Sequence, residues 1–288
     1  MNYELKNQYL TVTVTTLGAE LISLKDVEGT EYIWNADEKY WKRHTPILFP
    51  IVGKIREGKY TLESREYSLP AHGFARDLEF EIESYSKENI VFVLRACKET
   101  KKSYPFDFVL RVIYTLKVKR LDIAYEVINE DKDKMYFKIG AHPGFRCPIF
   151  ENETAGDYYL EFEQEEDALQ IPIDSDVYLT RETRQFKGKK LYFNEQLPID
   201  GVIILTNYKS KSISLSSKQH NKGLSVDFEG FPFLGVWRAE DNAPFICIEP
   251  WYGHADFSDE SKELADKKDT ICLESMKTFK CAHGISII

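Results

Sequence analysis

The clearest candidates for chemistry in this 288-residue sequence are histidines and carboxylates standing where a β-strand alone would not want them. In Phe245-Ile246-Cys247-Ile248-Glu249-Pro250-Trp251-Tyr252 a carboxylate closes a strongly apolar run. Burying such a group is costly unless it is paired, and burial raises its pKa. A desolvated carboxylate of this kind suits general-base work. The competing reading is a surface glutamate just past the end of a strand. Trp251 beside it offers a flat apolar face, suited either to stacking on a ligand ring or to the core.

Three further segments share this character. In Ile139-Gly140-Ala141-His142-Pro143-Gly144-Phe145 a strand pattern runs into a histidine followed at once by proline. A proline there stops ladder pairing and leaves the imidazole at a strand end that can face a cleft. In Leu69-Pro70-Ala71-His72-Gly73-Phe74-Ala75-Arg76 a proline and a glycine bracket His72, fixing it beside an aromatic ring and Arg76. An exposed hairpin connection would explain the same residues. In Leu197-Pro198-Ile199-Asp200-Gly201-Val202 the Asp-Gly pair is first of all a turn signal.

Other chemistries find no foothold. The sequence has no G-x-G-x-x-G, P-loop, G-x-S-x-G or H-E-x-x-H, so no nucleotide, flavin or zinc-hydrolase motif is present. The six histidines show no local metal-ligand spacing, and the expectation is an activity needing neither cofactor nor metal. The formal charge is −9, which disfavours nucleic acid and anionic membrane as partners. Lys187 to Lys190 is a short basic cluster, expected to be a solvated turn. Five scattered cysteines without a Cys-x-x-Cys pair fit a reducing compartment, and the first residues lack the apolar stretch of a signal peptide. Both point to the cytoplasm.

The elements that must position these groups are strands. Phe108, Leu110, Val112, Tyr114, Leu116 and Val118 alternate with other residues, and Leu121, Ile123, Tyr125 and Val127 alternate again after a turn at Lys119-Arg120. That is an antiparallel hairpin with one buried face. Strands are also expected at 79–85, 90–96, 158–162, 201–206, 212–216, 224–228 and 245–248. The single helix-period segment of any length is 258–267, with Ser258 as N-cap; a turn is expected near 37–41. There is no linker, repeat or composition break. The economical architecture is all-β: a large antiparallel β-sandwich with few short helices, residues 1–288 forming one domain.

Taken in order, Phe49-Pro50-Ile51-Val52-Gly53, His72-Gly73-Phe74-Ala75-Arg76, His142-Pro143-Gly144-Phe145, Asp200 and Ile248-Glu249-Pro250-Trp251 resemble the aldose 1-epimerase (galactose mutarotase-like) superfamily, closest to its LacX-like branch. The resemblance spans nearly the whole chain. It implies a β-sandwich with an open sugar cleft, His142 as general acid, Glu249 as general base, His72 as a ring contact and Asp200 as a holder of a sugar hydroxyl. Trp251 as a wall of the cleft follows from its position alone.

The sequence departs from the galactose-specific branch at two places. Where that branch has an arginine after asparagine, this chain has Val52-Gly53-Lys54-Ile55-Arg56, leaving Lys54 or Arg56 as the substitute. Around the acid it has Ala-His-Pro-Gly. The implied activity is interconversion of the α and β anomers of a hexose by acid/base ring opening and closure. Two alternatives stay open: a hexose-6-phosphate mutarotase, with Lys54, Arg56 and Arg76 as the phosphate-binding cations, and a non-catalytic carbohydrate-binding protein of the same fold. A monomer and a homodimer are equally compatible with the sequence.

Overall fold

The structure is a computed structural model, and it describes residues 1–193, 201–239 and 243–288. Among them, fifteen strands join one antiparallel sheet that wraps into a β-sandwich. The path starts at the two-residue strand Ile47–Leu48 and passes through Ile139–Ala141, Phe245–Tyr252, Phe233–Trp237, Val202–Thr206 and Tyr158–Gln170. It continues through Ser212–Ser217, Leu224–Asp227, Thr278–Ile287, Arg120–Asn129, Phe108–Lys117, Asn89–Arg95 and Glu81–Tyr85. A separate three-stranded sheet, Asn2–Lys6, Leu10–Thr15 and Leu21–Asp26, packs on the main core.

Alternation drives this arrangement. Along Arg120–Asn129 every second residue is buried, and the strand pairs in register with Phe108–Lys117, as its period-two pattern predicts. Fully burying one of the many Leu, Ile, Val or Phe side chains of the core contributes about 1.5–3 kcal/mol. The strand Phe245–Tyr252 uses both faces. Ile246 and Ile248 enter the main core, whereas Phe245, Cys247 and Trp251 join two smaller clusters on the opposite face. Glu249 shares that second face by alternation, in the middle of a strand rather than past its end.

Two local expectations fail. Residues 258–267 form no α-helix; the segment holds only the 3-10 turn Leu264–Asp266. Its apolar residues are too few to pay for a helical face, and Lys267 is drawn inward, its ammonium bonding to Asp256 (2.5 Å) and to the Ser261 carbonyl (2.7 Å). The basic cluster Lys187 to Lys190 is a stretch of the strand Arg184–Tyr192, not a turn; Lys189 and Lys190 pair with Glu161 across the ladder.

Candidate functional site

His142 and Glu249 meet because of strand register. Ile139–Ala141 pairs with Tyr252 and Trp251, and Gly144–Arg146 pairs with Cys247 to Phe245, on the same edge of the same strand. The break between these two short strands is His142-Pro143. Gly140 lies opposite Trp251 and Gly144 opposite Cys247, so the unbroken register sets His142 opposite Glu249. Directly opposed residues of an antiparallel pair have Cβ atoms about 4.5–5.5 Å apart, near enough for their side chains to touch. Here His142 Nε2 lies 3.2 Å from Glu249 Oε2.

Backbone contacts fix both partners. The His142 N–H donates to the Pro46 carbonyl and the Ile248 N–H to the Pro143 carbonyl. Two glycines make room for Trp251: a Cβ on Gly140 would come within 2.5 Å of its Cδ1, and one on Gly235 within 2.7 Å of its six-membered ring. A side chain at either position would force the indole to shift.

Burial governs the electrostatics. His142 is 7% exposed and Glu249 1%. Desolvation pushes the Glu249 carboxyl well above the ordinary carboxylate range, and only the neighbouring Trp251 indole works the other way. Desolvation likewise holds the His142 imidazole well below its usual value, with His72, Arg76 and Arg43 adding to the effect. Both shifts favour the neutral groups, a carboxylic acid and an uncharged imidazole. Although the two atoms are close, Oε2 of Glu249 makes no well-formed hydrogen bond. A third group entering the site can therefore bond to it.

An aromatic frame surrounds the imidazole. Trp41 stacks on it with ring centroids 4.8 Å apart and planes 26° apart, and Trp237 and His72 meet it edge-on at 5.4 and 5.5 Å. His72 sits in the left-handed region (φ 67°) at a tight bend, and burial pushes it down to about 3. Its Nδ1 accepts the Gly53 N–H at 3.2 Å, so the proton of the neutral ring rides on Nε2. His72 is thus fixed as a neutral hydrogen-bond donor.

These groups open onto a cavity of about 290 Å³. His72, His142, Glu249, Trp251 and Lys54 line it together with Trp237. Ile173, Val177 and Leu179, from the loop after Tyr158–Gln170, and Val202 and Ile204 complete an aliphatic wall. Five of the residues singled out in the sequence therefore converge. Neither Trp41, Trp237 nor the 173–179 loop carries a local signal that marks it in the sequence.

The other three stand differently. Arg56 is not part of the cavity: its guanidinium bonds to the Glu260 carbonyl at 2.8 Å and its backbone N–H donates to the Asp256 carboxylate at 3.0 Å. Arg76 stands behind His72 rather than in the lining; it donates to the Ala71 carbonyl (2.7 Å), lies near Asp77, and is pushed down to about 10 by burial and by Arg43. Asp200 lies outside the described residues. Lys54 reaches the cavity, but its ammonium donates to the Asp176 carbonyl (3.0 Å) and lies over the Tyr178 ring.

Among the described residues, one set of three side chains has the types and spacing to hold a metal ion: His142, Cys247 and Glu249, with ligand atoms within 4.8 Å of one another. No helix among them is long and apolar enough to cross a membrane.

Comparison with known proteins bears on the family and the fold. The sequence profile of the aldose 1-epimerase family matches residues 1–268. The chromosomal LacX protein of Lactococcus lactis is 37% identical over an alignment of 298 positions covering all of both chains. A putative glucose-6-phosphate 1-epimerase of Escherichia coli is 30% identical, over 91% of this chain and 85% of that one. The crystal structure of a galactose mutarotase related enzyme from Lactobacillus acidophilus superimposes with a TM-score of 0.94 at 30% identity, covering 100% of this chain and 97% of the other. A galactose mutarotase-like protein from Lactobacillus casei gives 0.93 at 29%, covering both chains fully. The chain belongs to the aldose 1-epimerase family.

Proposed function

We propose that this protein is a mutarotase interconverting the anomers of a hexose, with His142 as general acid and Glu249 as general base. The observation that carries this reading is the buried contact of these two side chains, 3.2 Å apart at the wall of a sugar-sized cavity. Mutarotation removes a proton from the C1 hydroxyl and delivers one to the ring oxygen; rotation about C1–C2 and the reverse transfers close the ring on the other face. A carboxylate and an imidazole sharing one proton hold the equipment for both transfers, each worth roughly 10²–10⁴-fold.

In the free protein burial favours the carboxylic acid and the neutral imidazole. A C1 hydroxyl donating to Glu249 stabilises its carboxylate and moves the shared proton to His142, which then faces the ring oxygen. The two groups need not be kept apart for this. Proton exchange within the pair is how the roles are set and then reversed. His72, donating through Nε2, holds the sugar. Trp251 stacks on its apolar face, and Asp200 is assigned the hydroxyl contact on the family resemblance alone.

A hexose 6-phosphate is the second reading, favoured by one observation. Arg43 and Arg76 both pair with the one carboxylate of Asp77, and their positive field reaches His72 and His142. The E. coli relative's description as a putative glucose-6-phosphate 1-epimerase agrees with it. Polarimetry and NMR of freshly dissolved α-anomers, over a panel of free and 6-phosphorylated hexoses, test both readings. Acceleration of the approach to anomeric equilibrium for any member supports a mutarotase. Inertness toward all of them leaves a binding protein.

A further inference from the structure

Cys247 has no part in the proposed reaction, yet it stands two residues before Glu249 on the same strand and, by alternation, on the same face. Its sulfur, a nitrogen of His142 and a carboxylate oxygen of Glu249 all lie within 4.8 Å of one another, and all three residues are buried. Glu249 Oε2 is in addition an orphaned acceptor. Thiolate, imidazole and carboxylate are the three ligand types of zinc. With metal–ligand bonds of about 2.0–2.3 Å, tetrahedral geometry sets ligand atoms roughly 3.2–3.8 Å apart. The 3.2 Å between His142 and Glu249 already meets that spacing, and the sulfur has about 1 Å or less to travel.

We propose that this trio is a binding site for a thiophilic divalent cation of the zinc class, reached through the sugar cavity. Charge favours it. A dication with one thiolate and one carboxylate is neutral overall, which a buried site tolerates, and coordination by itself removes the thiol proton. That proton and the one shared by His142 and Glu249 leave to solvent. The fourth position faces the cavity, where water or a sugar hydroxyl completes the tetrahedron. Metal and sugar then compete for the same carboxylate and imidazole, so the ion acts as an inhibitor; this last consequence rests on the mutarotase reading.

Cobalt(II) titration of the intact protein, followed by absorption, tests the site without reference to activity. One equivalent should bind, giving intense tetrahedral d–d bands and a near-ultraviolet thiolate-to-cobalt band, with zinc displacing it. Cys247→Ser should abolish the thiolate band, whereas Cys97→Ser and Cys272→Ser, at exposed cysteines, should retain it. Lack of cobalt uptake by the wild-type protein, or a thiolate band that survives in Cys247→Ser, overturns the site. Bound cobalt that no turned-over hexose displaces refutes the competition but not the site. Cobalt binding in a protein inert toward every sugar leaves the metal site standing and removes the mutarotase reading.

Discussion

The Trp41 indole lies face-on against the His142 imidazole, 4.8 Å between centroids, and stacks in turn near Phe245 at 5.5 Å. The Trp41 carbonyl accepts the Trp34 indole N–H, and Glu20 holds the following residues through the N–H groups of His44 and Thr45. An electron-rich face against the ring also favours the imidazolium of the proposed reaction. Trp41→Ala should therefore lower kcat by about 10- to 100-fold, the cost of a misplaced catalytic group. Trp41→Phe should restore most of it. Steady-state kinetics on the best hexose checks both, and an unchanged kcat in the alanine variant would show that the stack is only packing.

Lys54 braces a wall of the cavity. Its ammonium bonds to the Asp176 carbonyl and covers Tyr178, on the loop that brings Ile173, Val177 and Leu179 to the cavity. Val177 holds φ 65° at the tip of that loop, a strained conformation for a β-branched residue. Lys54→Met should raise KM several-fold with little effect on kcat, equally for free and phosphorylated sugars. A loss confined to phosphorylated substrates would instead mark Lys54 as the phosphate ligand.

Behind the cavity, Lys267 and Asp256 form an ion pair at 2.5 Å with side chains 1% and 0% exposed. Asp256 also accepts the Arg56 N–H, and its own N–H donates to the Lys54 carbonyl, so it ties the 53–56 segment to the strand end that carries Trp251. Removing one partner leaves a buried uncompensated charge. Lys267→Met should cost about 3–5 kcal/mol in denaturant unfolding. Pairing it with Asp256→Leu should recover much of that loss. Additive costs in the double variant would contradict the coupling.

The segments that were legible in the sequence are those whose signal is local. Period-two alternation marks the hairpin 108–129, and the proline after His142 marks the end of its strand. What alternation does not carry is which strands pair. The facing of His142 and Glu249 depends on a register shared by two short strands across a break, visible only once Gly140 and Gly144 are seen on one partner. Arg56 misled because the group that holds its guanidinium, the Glu260 carbonyl, lies 204 residues further along the chain. Residues 258–267 misled because the inward pull on Lys267 comes from Asp256, outside the segment.

His283 provides a pH-dependent test of the core. It is buried against Tyr125, whose hydroxyl lies 3.1 Å from its Nε2, and burial pushes its pKa down to about 3. In the unfolded chain its pKa is near 6.5, so between roughly pH 6.5 and 3 the unfolded state binds the extra proton. Stability is full above this window and falls as pH drops through it, by about 1.4 kcal/mol per pH unit from this group. Unfolding free energies measured from pH 7 to 4.5 should fall less steeply in His283→Gln than in the wild-type protein, by about that amount. An identical slope in the variant would remove His283 from the account.

The pairing of His142 with Glu249 is tested most directly by the anomerisation rate of the two conservative variants, read by NMR on the hexose that the wild-type protein turns over. Glu249→Gln and His142→Asn keep size and polarity but break the shared proton. Each should lose at least about 10²-fold in kcat, with circular dichroism unchanged, and the double variant should be hardly slower than either single one. Wild-type rates in both folded variants would mean that the proton transfers are carried out elsewhere.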